Sequence, residues 1–312
     1  MRALVRGAST ALAALLLVVA TGCSIVSPAA SAAGEPAWPP TPPATLAPTS
    51  TSTPTATPVA RRAPVVVLDP GHAVDESGAA AHGVVEKESN LDMAVRIARL
   101  LRTHGVEVIL TREADVRAAP PGDQPTRADG FSGTRNDLQA RIDLANAAKA
   151  DLFVSLHSNG AGDPRIRGYE VYYNAQRPFA AENLALARAL LDGVTTAMGA
   201  EGYPTTARGV IDDTCLKAFQ GRCFPLFVLG PPRVTDRDEV YRRGGTPEAL
   251  GFAPGQQSIT TRATEMPGAL VELLFISSPE DAALLRDEGA RNAMARGVAF
   301  GILDYLAAKP GR

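Results

Sequence analysis

From residue 65 onward the hydrophobic positions follow two alternating periods, and the alternation predicts a fold. "VVVLD" (65–69) is a continuous apolar run closed by a charge, the pattern of a strand buried on both faces. "LDMAVRIARLLRTHG" (91–105) then switches to a helical period. Leu91, Ala94, Val95, Ala98 and Leu101 share one face, Ser89 or Asn90 offers a cap, and Gly105 offers a stop. "VEVILTR" (106–112) reads as strand, "LQARIDLANAA" (138–148) as helix and "DLFVSLHSN" (151–159) as strand. Downstream, "YEVYYN" (169–174) and "GALVELLFI" (268–276) read as strands, "AENLALARALLDGVTTAMG" (181–199) and "ARNAMARGVAFGILDYLA" (290–307) as helices. Strands alternating with helices build βαβ units. The expectation is one α/β domain over 65–310, with a mostly parallel central sheet flanked by helices. Between 205 and 265 the pattern weakens into Gly, Pro and charge, which predicts an insertion loop.

The first 64 residues do not share this patterning. Arg2 and Arg6 precede the apolar run "ALAALLLVVA" (11–20), and small residues lead to Cys23, so 1–23 reads as an export signal. "ATGC" (20–23) is similar to a bacterial lipobox, in which the cysteine is lipidated, although Ala20 stands where a large aliphatic residue is usual. An ordinary cleaved signal is the alternative. Residues 24–64, rich in Pro, Ser and Thr, have too few apolar side chains to build a core and read as a disordered linker. In polyproline form, at about 3.1 Å per residue, it would reach on the order of 100 Å.

Composition narrows the function. The apolar share is 45% and the formal net charge −2, which fits a globular domain and argues against nucleic acid as a partner. Contact with a membrane is expected only through a lipid on Cys23, and a monomer is expected. With Cys23 set aside, the remaining two of the three cysteines, Cys215 and Cys223, close a short loop, and in an oxidising compartment they would form a disulfide. That bridge would pin the insertion as a flap beside the active site; a purely stabilising surface loop is the alternative.

The chemistry concentrates at strand ends. In parallel α/β sheets ligands bind beyond the carboxyl ends of the strands. Two of the four histidines, His72 and His157, fall there, the first just after the break at Asp69-Pro70-Gly71. Glu86 precedes the helix read from Leu91. Two imidazoles and one carboxylate are the ligand set of a catalytic zinc with a position left open for water. Taken singly, each histidine is as readily a hydrogen-bonded strand-end residue, and Glu88 competes with Glu86. His82, in a Gly/Ala-rich loop, and His104, at a helix end, need no functional role. Glu272 lies inside the apolar strand "GALVELLFI", where an unpartnered carboxylate is expensive. Next to the His157 strand it would face the open metal position and could take a proton from water. An edge position facing solvent is the alternative.

"VVVLDPGH", "VEKESNLDMAVRIARLL", "VILTREAD", "LQARIDLANAAKADLFVSLHSNG" and "GALVELLFISSPEDAALL" occur in this order. Together they resemble the zinc-dependent N-acetylmuramoyl-L-alanine amidases of the Amidase_3 type, over about 65–308. The resemblance implies Zn2+ held by His72, Glu86 and His157, with Glu272 as catalytic base. The reaction it implies is hydrolysis of the amide joining N-acetylmuramic acid to L-alanine in peptidoglycan. The export signal and the lipobox-like Cys23 set the expected location at the cell envelope, anchored to a membrane through a lipid on Cys23. A zinc peptidase cutting within the stem peptide and a non-catalytic peptidoglycan-binding module are the rival functions. The chain departs from the family pattern at "HAVDES" (72–77), where glycines often follow the histidine, and at Leu274 and Ser278, where Gly and Asn are common.

Overall fold

The computed structural model describes residues 62–309 apart from 75, 120–131, 220–221, 243, 245 and 251. The export signal with Cys23 and nearly all of the linker lie outside the described residues. The elements run β1 (Val65–Pro70), β2 (Ala80–Ala81), β3 (Val84–Val85), α1 (Glu86–Thr103), β4 (Glu107–Leu110), α2 (Ser132–Ala147), β5 (Leu152–Asn159), β6 (Tyr169–Tyr173), α3 (Ala180–Ala200) and β7 (Ala207–Asp212). A short helical turn (Asp213–Cys215) leads to β8 (Lys217–Phe219), β9 (Arg222–Phe224), β10 (Arg233–Asp236), α4 (Arg237–Arg242), a second turn (Pro247–Leu250) and β11 (Ser258–Thr261). The chain closes with β12 (Gly268–Phe275), α5 (Pro279–Arg286) and α6 (Glu288–Ala308).

Six strands form one sheet in the order β4-β1-β5-β12-β6-β7. The first four are parallel, whereas β6 pairs antiparallel with β12 and carries β7 alongside it. The reversal has a local cause: β5 reaches β6 through the loop 160–168 rather than through a crossover helix, so the chain returns in the opposite direction.

Period-2 alternation divides the sheet's side chains between two cores. Val66, Leu68, Val154, Leu156, Val171 and Val271 point to the layer of α1, α3 and α6. Val65, Val67, Phe153, Tyr172 and Leu270 point to the other face, under Ile142 of α2. Burial on both sides is why the strands read as unbroken apolar runs.

The stretch expected as an insertion loop contributes to this frame. Its first residues form β7, an edge strand whose exposed pattern, with Arg208 and Gly209 inside it, hides the strand from periodicity. Val228 and Leu229 are 4% and 3% exposed and belong to the second core. Arg177, buried, donates to the carbonyls of Leu229 and Gly230 at 3.3 and 2.9 Å and ties the segment to Thr264. Part of the segment therefore packs in the second core together with α2. Among the described residues no helix is long and apolar enough to cross a membrane.

Candidate metal centre and catalytic cleft

The turn leaving β1 is held from below by two buried arginines. Asp69, 1% exposed, accepts from Thr111 Oγ1, Arg141 Nη1 and Ser155 Oγ, each at 2.7 Å. Burial alone would raise its carboxyl, but the Arg141 charge and these bonds outweigh it and hold the group below the ordinary aspartate value. Arg141 reaches on to the carbonyls of Pro70 at 2.7 Å and His72 at 3.2 Å. Arg112, 3% exposed, donates to Pro70 O at 2.9 Å and Gly71 O at 3.0 Å. These bonds fix the carbonyls on both sides of the histidine, whose backbone is left-handed at φ 61°.

Three residues from three segments then meet. Glu86 Oε1 lies 3.1 Å from His72 Nε2 and 2.9 Å from His157 Nδ1, and the two rings stand edge to face with centroids 4.9 Å apart. Glu86 Oε2 accepts from Ala79 N at 2.8 Å. Burial would raise the Glu86 carboxyl, but hydrogen bonds from His157 and His72 reverse the shift and keep it ionised far into acid. Two glycines make the space. A Cβ on Gly71 would sit 2.2 Å from the His157 ring, and one on Gly78, at φ 66°, would sit 2.3 Å from Glu86 Oε2.

One ligand atom from each of the three residues lies within 4.8 Å of the others, so the group could hold a metal ion. Two imidazole nitrogens and one carboxylate oxygen suit zinc, and three protein donors leave a position for water or substrate. Glu88 is exposed on α1 and lies outside this group.

Glu86 is not ahead of its helix, as the pattern suggested, but is its first residue. Neither Ser89 nor Asn90 caps α1; the N-cap is Val85, with no side-chain bond. The free amides of Glu86 and Lys87 donate to Ala79 O and Ser77 O at 2.9 and 3.1 Å. Asn90 is buried one turn on and donates to Gly71 O at 3.2 Å.

Glu272 sits opposite His157 in the β5–β12 pairing. Its side chain keeps some exposure, while Oε2 is enclosed and has no hydrogen-bond partner. Burial first, then the charges of Glu86 and Glu170, push its carboxyl well above the ordinary glutamate value. The register shifts between Glu272 and Phe275, and Leu274 in that bulge adopts φ 71°. This is the position where glycine was expected. Val74, in the loop that lacks glycine, is left-handed at φ 51° and is held by Asp115 Oδ1 on its N–H and Lys87 Nζ on its carbonyl, both at 2.6 Å. A left-handed non-glycine residue costs about 1–3 kcal/mol.

His82 and His104 lie apart from the group, bonded to Ser277 O and Leu100 O. Periodicity and spacing did not single out Arg112, Arg141, Glu170 or Arg208. Glu170 gave the same signal as Glu272, a carboxylate inside a strand.

A mostly parallel sheet with two histidines and a glutamate that could hold a metal ion, and an enclosed second glutamate, at its carboxyl edge suits a metal-dependent hydrolase. The profile of the Amidase_3 family, described as N-acetylmuramoyl-L-alanine amidase, matches residues 66–304, and the chain belongs to that family. It is 27% identical over 246 residues to the germination-specific N-acetylmuramoyl-L-alanine amidase of Bacillus subtilis, covering 78% of this chain and 81% of that protein. The N-acetylmuramoyl-L-alanine amidase AmiA of Escherichia coli is 26% identical over 246 residues, 78% of this chain and 76% of its own. Among solved structures, the catalytic domain of the amidase CwlV from Bacillus (Paenibacillus) polymyxa superposes with a TM-score of 0.51 at 27% identity, over 79% of this chain and 99% of that one.

Proposed function

We propose that His72, Glu86 and His157 hold a zinc ion and that Glu272 is the base in hydrolysis of the amide between N-acetylmuramic acid and L-alanine of peptidoglycan. The observation that carries the assignment is Glu272, whose enclosed Oε2 has no partner beside the candidate ligands. An unpaired buried polar group costs about 1–3 kcal/mol, and a strand that keeps one at this edge has a chemical use for it. When bound, zinc supplies Lewis acidity, polarising a carbonyl and lowering the pKa of water toward about 7. Glu272 accepts the proton of the attacking water as its oxygen bonds to the scissile carbon. The same carboxyl then hands the proton to the alanine nitrogen as the C–N bond breaks. Arg112, Arg141 and Asn90 hold the turn that presents His72.

Digestion of purified peptidoglycan followed by mass spectrometry tests this. Stem peptides beginning with a free L-alanine amine are expected, together with glycan strands bearing intact lactyl carboxyls. Peptides cut between stem residues would replace the amidase with a peptidase, and release of nothing would leave a binding module.

We further propose that 1–23 directs export, that Cys23 carries lipid, and that Cys215 and Cys223 form a disulfide. The packing of β9, which contains Cys223, against the turn that contains Cys215 supports the bridge. Intact-mass spectrometry of the membrane-extracted chain is expected to show a lipidated Cys23 N-terminus and two hydrogens fewer than the reduced form. An unlipidated, fully reduced mass would contradict both.

A further inference from the structure

The edge of the sheet that carries the metal centre continues past Glu272. Glu170 of β6 stands opposite Glu272 as Glu272 stands opposite His157. Cross-strand partners share a face, so His157, Glu272 and Glu170 form one row across three strands. Glu170 is 4% exposed and fully engaged. Its Oε1 accepts from Asn159 Nδ2 at 2.9 Å and from Tyr172 Oη at 2.6 Å, and its Oε2 accepts from Arg208 Nε at 2.7 Å.

On β7 the register partner of Glu170 is Gly209, and Arg208 falls at the register shift just before it, from where its side chain reaches Glu170. Its guanidinium carbon lies 5.1 Å from the centre of the Phe275 ring, and its side chain is 38% exposed. The guanidinium is thus fixed at Nε and steadied over an aromatic ring. Its two Nη groups have no hydrogen-bond partner among the described residues. An arginine serving only to neutralise Glu170 would turn its fork onto the carboxylate, with two parallel bonds. This one uses its single Nε–H and leaves the terminal nitrogens free, a pre-organised site for a carboxylate.

We propose that Arg208 recognises a carboxylate on the peptide stem of the substrate and so sets specificity for the reaction at the metal centre. The inference rests on the amidase assignment above. The scale agrees with it: two strand spacings of about 4.8 Å each separate His157 from Glu170. An anion on the Arg208 fork therefore lies about 10 Å or more from the ligands, a span of about three residues of extended peptide. A stem whose first residue donates the scissile amide nitrogen would bring a carboxylate of its second or third residue to that place. Glu170 holds the fork in position and is a positioning residue.

Two soluble muramoyl-peptides, identical except that the stem carboxylates are free in one and amidated in the other, test the assignment in steady-state kinetics of the whole enzyme. The wild type is expected to favour the free-carboxylate substrate by about tenfold or more in kcat/KM, the scale of a hydrogen bond to a charged group. Arg208→Gln is expected to lose that preference, chiefly through a raised KM for the free-carboxylate substrate. Arg208→Lys keeps a cation beside Glu170 and is expected to retain only part of the preference, since it lacks the fork. Bound metal and circular dichroism are measured for each protein. Equal losses on both substrates would reduce Arg208 to a structural role, and an unchanged preference in both variants would remove it from recognition. Failure of the wild type to cleave either substrate would overturn the amidase assignment itself, and this inference with it.

Discussion

Glu272→Gln is expected to fold, to retain its metal and to lose about 100- to 10,000-fold of turnover, the range that a positioned general acid–base contributes. The substitution keeps the shape of the side chain and the pairing of β12 with β5, because only the ionisable oxygen changes. It leaves an amide in the same enclosed place and removes only the ionisable group, a carboxyl pushed well above its ordinary value by burial and by the Glu86 and Glu170 charges. Stability should therefore be little changed while activity collapses. The pH profile follows with a definite sign. A base must be ionised to accept a proton, so wild-type activity falls as pH drops through the Glu272 pKa in the working enzyme. A divalent charge beside it would favour the ionised form and draw that limb toward acid. Wild-type rates in a metal-loaded Gln variant would remove Glu272 from the chemistry.

His157→Ala is expected to empty the metal site and abolish activity together. In the proposed site the ring would supply one of three ligand atoms, and its Nδ1 lies 2.9 Å from Glu86 Oε1, so its loss takes away a ligand and leaves the carboxylate without its neighbour. Losing an outer partner of a ligand typically costs 10- to 100-fold in metal affinity, and loss of the ligand itself should exceed that. Structure should suffer little, because His157 is half-buried at the end of β5 and belongs to neither apolar core. Atomic absorption on the dialysed variant checks this, and full metal occupancy would exclude His157 as a ligand.

Most of the central frame was legible because it obeys local rules. β1, β5 and β12 are apolar on both faces, and α1 stops where expected, with Gly105 at φ 76°. His72 and His157 stood out as polar residues at the ends of such runs, and Glu272 as a charge inside one. What stayed hidden depends on tertiary contacts. The start of α1 is capped by carbonyls of Ser77 and Ala79, so no residue of the helix announces it. β7 gains its pairing from β6 rather than from its own alternation. Leu274 could be named as a departure from the family pattern, but only the backbone shows that it takes the left-handed bulge itself, with its side chain fully buried. Arg112 and Arg141 look in sequence like ordinary charges on a strand end and a helix face. Their burial beneath the His72 turn follows from the packing of β1, β4 and α2.

Anomalous diffraction from crystals of the active enzyme, recorded on both sides of the zinc absorption edge, tests the central claim most directly. The account predicts one strong zinc peak at about 2.0–2.2 Å from a nitrogen of His72, a nitrogen of His157 and an oxygen of Glu86. A fully active crystal with no peak among these three residues, or with its zinc bound elsewhere, would contradict it.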